Sequence, residues 1–136
     1  MSHEMSFDQS YDYASDEDQA IQVPVLLSAN DQSHRVLAKL DTGADFCVFE
    51  RVWAERLGFD VESGERKIFR TLSGDVWAYA HRVTMETRGI EFESDVYFAR
   101  DSSVKRNLLG RNGWLDRLRI GIVHYDRKVF LSPYGS

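Results

Sequence analysis

The sequence predicts an all-β domain: a small, mostly antiparallel closed barrel or sandwich with one or two short helices. Three observations predict it. From Ile21 onward the chain is a succession of short apolar-rich runs, separated by turn-forming residues. Only "ERVWAERLG" and the end of "NLLGRNGWLDRL" suggest helices. At 136 residues, with 43% hydrophobic and 12% aromatic side chains, the chain can bury one real core and is too short for two comfortable ones.

The elements follow in order. Residues 1–20 hold six acids (Glu4, Asp8, Asp12, Asp16, Glu17, Asp18) and no Lys or Arg. Such a run buries too little to offset its ordering entropy, so a loose acidic tail is expected over 1–20 and a single domain over 21–136. "IQVPVLLS" and "HRVLAKL" flank the polar "ANDQS" and read as a hairpin. After the break at Asp41-Thr42-Gly43-Ala44-Asp45, "FCVF" is a third strand. In "ERVWAERLG", Val52, Trp53, Ala54 and Leu57 lie at near-helical spacing before Gly58. "GERKIFRTLSGDVWAYAHRVTMET" divides around Ser73-Gly74-Asp75 into a long hairpin. Arg88-Gly89 is another turn, and "IEFESDVYF" alternates as a strand. "NLLGRNGWLDRL" reads as a strand end, a glycine turn and a short helix. "RIGIVHY" and "KVFLS" close the chain as strands around Asp126-Arg127.

Charge and composition exclude several classes of function. The net charge is −5 from 22 acids and 17 Lys and Arg; beyond residue 20 the balance is +1. That argues against nucleic acid as a partner. No run approaches the roughly 20 apolar residues of a membrane span, and the N-terminus has no basic region followed by an apolar one. A soluble cytoplasmic protein is the expectation, with no membrane partner. His3, His34, His81 and His124 are scattered without ligand spacing, so neither metal nor other cofactor is expected. The single cysteine, Cys47, excludes an intrachain disulfide and reads as core. Trp53 and Trp114 read as packing residues.

Asp-Thr-Gly alone is a weak signal, since Asp, Thr and Gly also make ordinary turns. Its context is more specific: "LDTGAD" lies between apolar strands, a hairpin with a glycine near its tip follows, and "NLLGRN" comes about 65 residues after the tripeptide. In order and spacing, from about Ile21 to Leu131, this resembles the retropepsin-like aspartic proteases, the single-domain relatives of the pepsins.

The resemblance implies an acid-protease-like fold and an aspartic endopeptidase. Two carboxylates held about 3 Å apart share one proton, so the pair can both take a proton from water and give one to a carbonyl oxygen. Asp41 is the implied catalytic carboxylate. Thr42 orients it by bonding backbone across the pair, and Gly43 and Ala44 leave room for substrate. The chain has one Asp-Thr-Gly, so the implied state is a homodimer acting on a peptide or protein substrate. Asp45 falls where the family contacts substrate backbone and pairs with an arginine, here Arg111 after Gly110. That pair either braces the loop against the C-terminal helix or is an ordinary surface ion pair.

Ser73 and Gly74 fall at the tip of the implied flap. One glycine with Asp75 and Trp77 departs from the glycine-rich flaps of viral members, and Gly113 stands where an apolar residue is usual. Trp77 and Tyr79 are open to two readings, subsite or core. The bases of 100–119 form either a solvated face or a dock for the acidic opening segment. Two further functions stay open: a catalytically silent dimeric peptide-binding or scaffold module of the same fold, and an unrelated β domain.

Overall fold

A computed structural model describes residues 1–13 and 20–134. Its strands are β1 (Gln9–Asp12), β2 (Gln22–Ala29), β3 (Gln32–Leu40), β4 (Val48–Phe49), β5 (Arg66–Thr71), β6 (Gly74–Thr87), β7 (Ile90–Ala99), β8 (Leu108–Leu109), β9 (Leu118–Val123) and β10 (Lys128–Pro133). One α-helix, α1 (Arg51–Arg56), follows β4. Seven strands pair in the order β2-β3-β8-β4-β7-β6-β5, and β2 also pairs with β6, which closes the sheet into a ring. β1, β10 and β9 make a separate three-stranded sheet with β10 in the centre. The mostly antiparallel all-β expectation holds in this ring-like form; only β3–β8 and β4–β7 pair in parallel.

Alternation builds the ring. Val23, Val25 and Leu27 of β2 and Val36, Ala38 and Leu40 of β3 are buried, while Arg35, Leu37 and Lys39 face outward. The β2–β3 hairpin turns on Asn30 and Asp31 alone, both with positive φ (51° and 62°), a conformation these two residue types tolerate. Both strands therefore run into the stretch the sequence suggests is a loop. Below the sheet Phe49, Phe98, Leu57, Leu109 and Trp114 pack together in the core, and the Trp114 indole donates to Thr87 Oγ1 at 3.2 Å. No helix among the described residues is long and apolar enough to cross a membrane.

Two expectations are corrected. The second helix is only a 3₁₀ turn, Leu115–Arg117. Gly113 sits at φ +112° and β9 already begins at Leu118, so no room remains for a helical run. The loose tail is corrected over its first part, because β1 pairs with β10 from Gln9↔Leu131 to Asp12↔Lys128. Acid count hid the reason. Phe7 packs on Phe130, and Tyr13, 4% exposed, hydrogen-bonds through its hydroxyl to His124 Nδ1 at 2.6 Å. These aromatic rings supply the burial that the acids cannot. Asp12 pairs with Lys128 at 2.8 Å, and Arg119 stacks over Phe7. Asp16, Glu17 and Asp18 lie outside the described residues, so their docking on the 100–119 segment has no structural account.

Candidate active site

The Asp-Thr-Gly loop owes its position to a strand from the far end of the chain. β3 leads into the loop and β4 leads out, yet the two do not pair: β8 lies between them, parallel to β3 and antiparallel to β4. Asp41, at the end of β3, donates its N–H to Leu109 O (3.0 Å). Beyond β8 the chain continues along the same loop. Arg111 N–H donates to Ala44 O and Asn112 N–H to Asp45 O, both at 2.9 Å. The Asn112 side-chain amide adds a second bond to Asp45 O at 2.8 Å.

This crossing requires glycine at 110. A Cβ there would lie 2.3 Å from Phe46 O and 2.9 Å from Ala44 O, both fixed backbone atoms. Gly110 is thus the close-approach point of the two loops.

Within the loop, the Asp41 carboxylate is half-buried, and its Oδ1 accepts the Gly43 N–H at 3.0 Å. A Cβ on Gly43 would come 3.3 Å from that same oxygen, so a side chain there would crowd the carboxylate. Thr42 is exposed, and its hydroxyl has no hydrogen-bond partner among the described residues. Ala44 is half-buried. Asp45 and Arg111 form an ion pair, with side chains 63% and 56% exposed. Solvent at that exposure screens the pair to less than about 1 kcal/mol. The backbone bonds of 111 and 112, rather than the ion pair, hold the loop. The expected C-terminal helix for it to brace against is absent, and the pair joins two loops instead.

Ser73 and Gly74 occupy the tip of the β5–β6 hairpin, where Thr71 Oγ1 donates to Gly74 O at 2.6 Å. They line a hollow of about 430 Å³ between the hairpin and residues 100–106. Gly43, Ala44 and Asp45 line a different, adjoining hollow of about 210 Å³, to which the hairpin contributes Phe69, Arg70, Thr71 and Val76. The structure therefore brings the loop to the strands of the β5–β6 hairpin and leaves the hairpin tip one compartment away. Trp77 is half-buried between the guanidinium groups of Arg66 (4.4 Å from ring centre) and Arg100 (4.6 Å), whereas Tyr79 is core. Cys47 is fully buried, its thiol pushed up to about 12 by burial, and its sulfur accepts the Gly110 N–H at 3.4 Å.

Sequence reasoning missed Asn112, Phe46, Phe69 and Arg106. Phe46 and Asn112 form an isolated parallel bridge across more than 60 residues of chain. Only the "GRN" segment following an apolar pair hints at it. No local signal marks Phe69 or Arg106, because their role depends on which strands become neighbours.

A ring-like sheet with Asp-Thr-Gly on a loop straddled by a glycine-bearing segment defines the class. The chain belongs to the aspartyl protease family, whose model matches residues 23–113. Its fold is retropepsin-like. It is similar to a retropepsin-like aspartic protease from Rickettsia conorii, with a TM-score of 0.64 and 19% identity, over 92% of this chain and 99% of that one. It is also similar to EIAV protease solved with the inhibitor HBY-793, with a TM-score of 0.52 and 25% identity, over 72% of this chain and 88% of that one. No curated protein matches it in sequence.

Proposed function

We propose that the protein is an aspartic endopeptidase that works as a homodimer, hydrolysing peptide bonds with water activated between two copies of Asp41. The observation that supports this most is the Asp41 carboxylate, held by Gly43 N–H on a loop hydrogen-bonded from Leu109 to Asn112. One carboxylate cannot be base and acid in the same step. A second copy about 3 Å away shares a single proton with it and supplies the missing state.

In that pair the ionised carboxylate takes a proton from water as its oxygen attacks the peptide carbonyl. The protonated partner gives its proton to the carbonyl oxygen, forming a tetrahedral diol. The carboxyl that took the water proton then gives it to the nitrogen, the C–N bond breaks, and a diol hydroxyl returns its proton to the other carboxylate, so that the pair again holds one. Thr42, whose hydroxyl is unengaged among the described residues, bonds the backbone of the opposite loop. Gly43 and Ala44 keep the attacking face open, and Asp45 meets the substrate backbone. Ser73 and Gly74 close over the substrate as the flap, while Gly110 and Arg111 support the loop. The outer edge of β9, with Ile122 and Val123 each 41% exposed, is a strand edge that a second copy can cover.

Light scattering on the eluted protein tests the dimer, and cleavage of unfolded proteins from about pH 4 to 7 beside Asp41→Asn tests the chemistry. A dimer mass with internal cleavage that Asp41→Asn abolishes is the expected result. A wild-type protein as inert as Asp41→Asn overturns the enzymatic reading and leaves a dimeric scaffold or binding module.

A further inference from the structure

The two hollows beside the catalytic loop share a wall: Thr71, Val76, Val104 and Arg106 line both. The first is mainly apolar, with Phe46, Val48, Phe69 and Leu108 in its lining and Arg70 and Arg106 as exposed basic groups. The second is polar and adds Arg100 and Lys105, with Asp75 and Asp101 also in its lining. A third hollow of about 640 Å³ meets Arg106 again, with Lys39 and Lys105, and has no acid among the described residues of its lining.

Three bases face two acids in the polar hollow, so the balance there and in the apolar hollow stays positive. Asp45 is engaged by Arg111, and the Asp101 carboxylate accepts the Ser103 N–H at 2.9 Å, which lowers its pKa. Asp75 stands opposite Arg70 in the hairpin register but forms no ion pair among the described residues. Two of the bases are partly occupied: Lys105 lies 3.9 Å from Glu50, and Arg100 stacks on Trp77. Arg70 and Arg106 remain, and among the described residues neither makes an ion pair or a side-chain hydrogen bond. A guanidinium offers a planar fork that matches a carboxylate. An extended peptide repeats its facing every second residue, about 6–7 Å along the chain, so side chains at i and i+2 fall in adjoining compartments.

We propose that this cleft selects peptides in which a bulky apolar residue lies two positions from Asp or Glu, with Arg106 reading the carboxylate and Arg70 as a second donor. The apolar side chain enters the hollow beside Gly43–Phe46, and the carboxylate lies at the wall that this hollow shares with the next, on Arg106, with Arg70 on the apolar side of that wall. This rests on the endopeptidase reading for cleavage, but not for binding.

The test uses fluorescein-labelled peptides with a central Leu-Phe pair and Glu two positions to either side, against the same peptide with Gln. Cleavage is followed with the wild type, and binding by anisotropy with Asp41→Asn. The Glu peptide is expected to be cleaved and bound about tenfold better at low salt. The preference should vanish when Arg106→Gln and Arg70→Gln are combined, and persist when Arg35→Gln and Arg88→Gln are combined, an equal loss of charge at two exposed residues that line none of the three hollows. Equal cleavage or equal binding of the two peptides overturns the proposal and leaves the endopeptidase reading intact. No cleavage at all, with a Glu preference in binding that Arg106→Gln removes, overturns the endopeptidase reading and upholds the selectivity. Absence of binding to either peptide overturns the selectivity.

Discussion

Replacing Gly110 with alanine tests whether the crossing of two loops, rather than the exposed ion pair beside it, holds Asp41 in place. The new Cβ would sit 2.3 Å from Phe46 O, where ordinary contact begins near 3.4 Å, so one backbone must retreat by about 1 Å. The bonds across the crossing are 2.9 Å for Arg111 N–H to Ala44 O and for Asn112 N–H to Asp45 O. A retreat of that size stretches both beyond hydrogen-bonding range. Two lost bonds cost about 1 kcal/mol each, and the overpacking adds about 1–3, giving about 3–5 kcal/mol. For a domain of this size that lowers the melting temperature by about 10–15 °C. Thermal unfolding by circular dichroism reads the stability, and amide exchange reads the crossing, where the Arg111 and Asn112 N–H groups should lose protection. A melting point within about 2 °C of wild type, with both amides still protected, would refute the reasoning. Arg111→Met, which removes only the exposed pair, is expected to cost less than about 1 kcal/mol.

Burial also sets the behaviour of Cys47. Its pKa is raised from 9.0 to about 12, so the stability it lends is complete below pH 9.0 and lost as pH rises through about 12. Denaturant titrations across that window should show Cys47→Ala losing less stability than wild type, by up to about 4 kcal/mol at the alkaline end. Tyr97, also raised by burial, contributes to the slope in both proteins. Equal alkaline slopes would contradict the burial. Tyr13→Ala removes a buried ring and its bond to His124, and should destabilise the protein by about 3–5 kcal/mol in a urea titration. No change would return the opening segment to the loose tail that its acids suggest.

What the sequence made legible, and what it did not, divides along the reach of the interactions. The hairpin tips are local events: turn chemistry finds Arg88-Gly89 directly, and lands near Asn30-Asp31 and Leu72-Ser73 through the wider stretches 29–33 and 73–75. The alternation of β2 and β3 is equally local. Gly110 and Arg111 came from resemblance rather than from spacing, because the crossing pairs residues more than 60 apart. Asn112 had no such help and was missed, and Arg106 was read only as one of the bases of 100–119. The opening segment failed for another reason. Its acids dominate the average, whereas Phe7, Tyr11 and Tyr13 decide the structure, since each ring buried outweighs a solvated carboxylate that costs little to leave in water. The second helix failed because the glycine turn, with Gly113 at φ +112°, and the start of β9 at Leu118 leave room for one 3₁₀ turn only.

A half-site serves a dimer best when it is rigid before the partner arrives, since ordering a loop on association would subtract from the binding free energy. Here the bonds that fix Asp41 all come from its own chain, through Gly43, Leu109, Arg111 and Asn112. On the proposed reading, the loops also meet across the pair through Thr42, but the β9 edge is a part of the interface separable from them. Gly110→Ala should lose turnover while keeping the dimer mass, because it disturbs only the crossing. Ile122→Asp places a charge on the exposed outer part of β9, far in sequence from the loop and 41% exposed in one chain, so it should leave the fold intact. Burying that charge between two β9 edges is unfavourable by several kcal/mol, enough to shift a micromolar dimer to monomer. Mass and peptidase activity should then fall together as protein is diluted, and recover together at high concentration. An Ile122→Asp protein that remains a dimer would show that the second copy docks elsewhere than on β9.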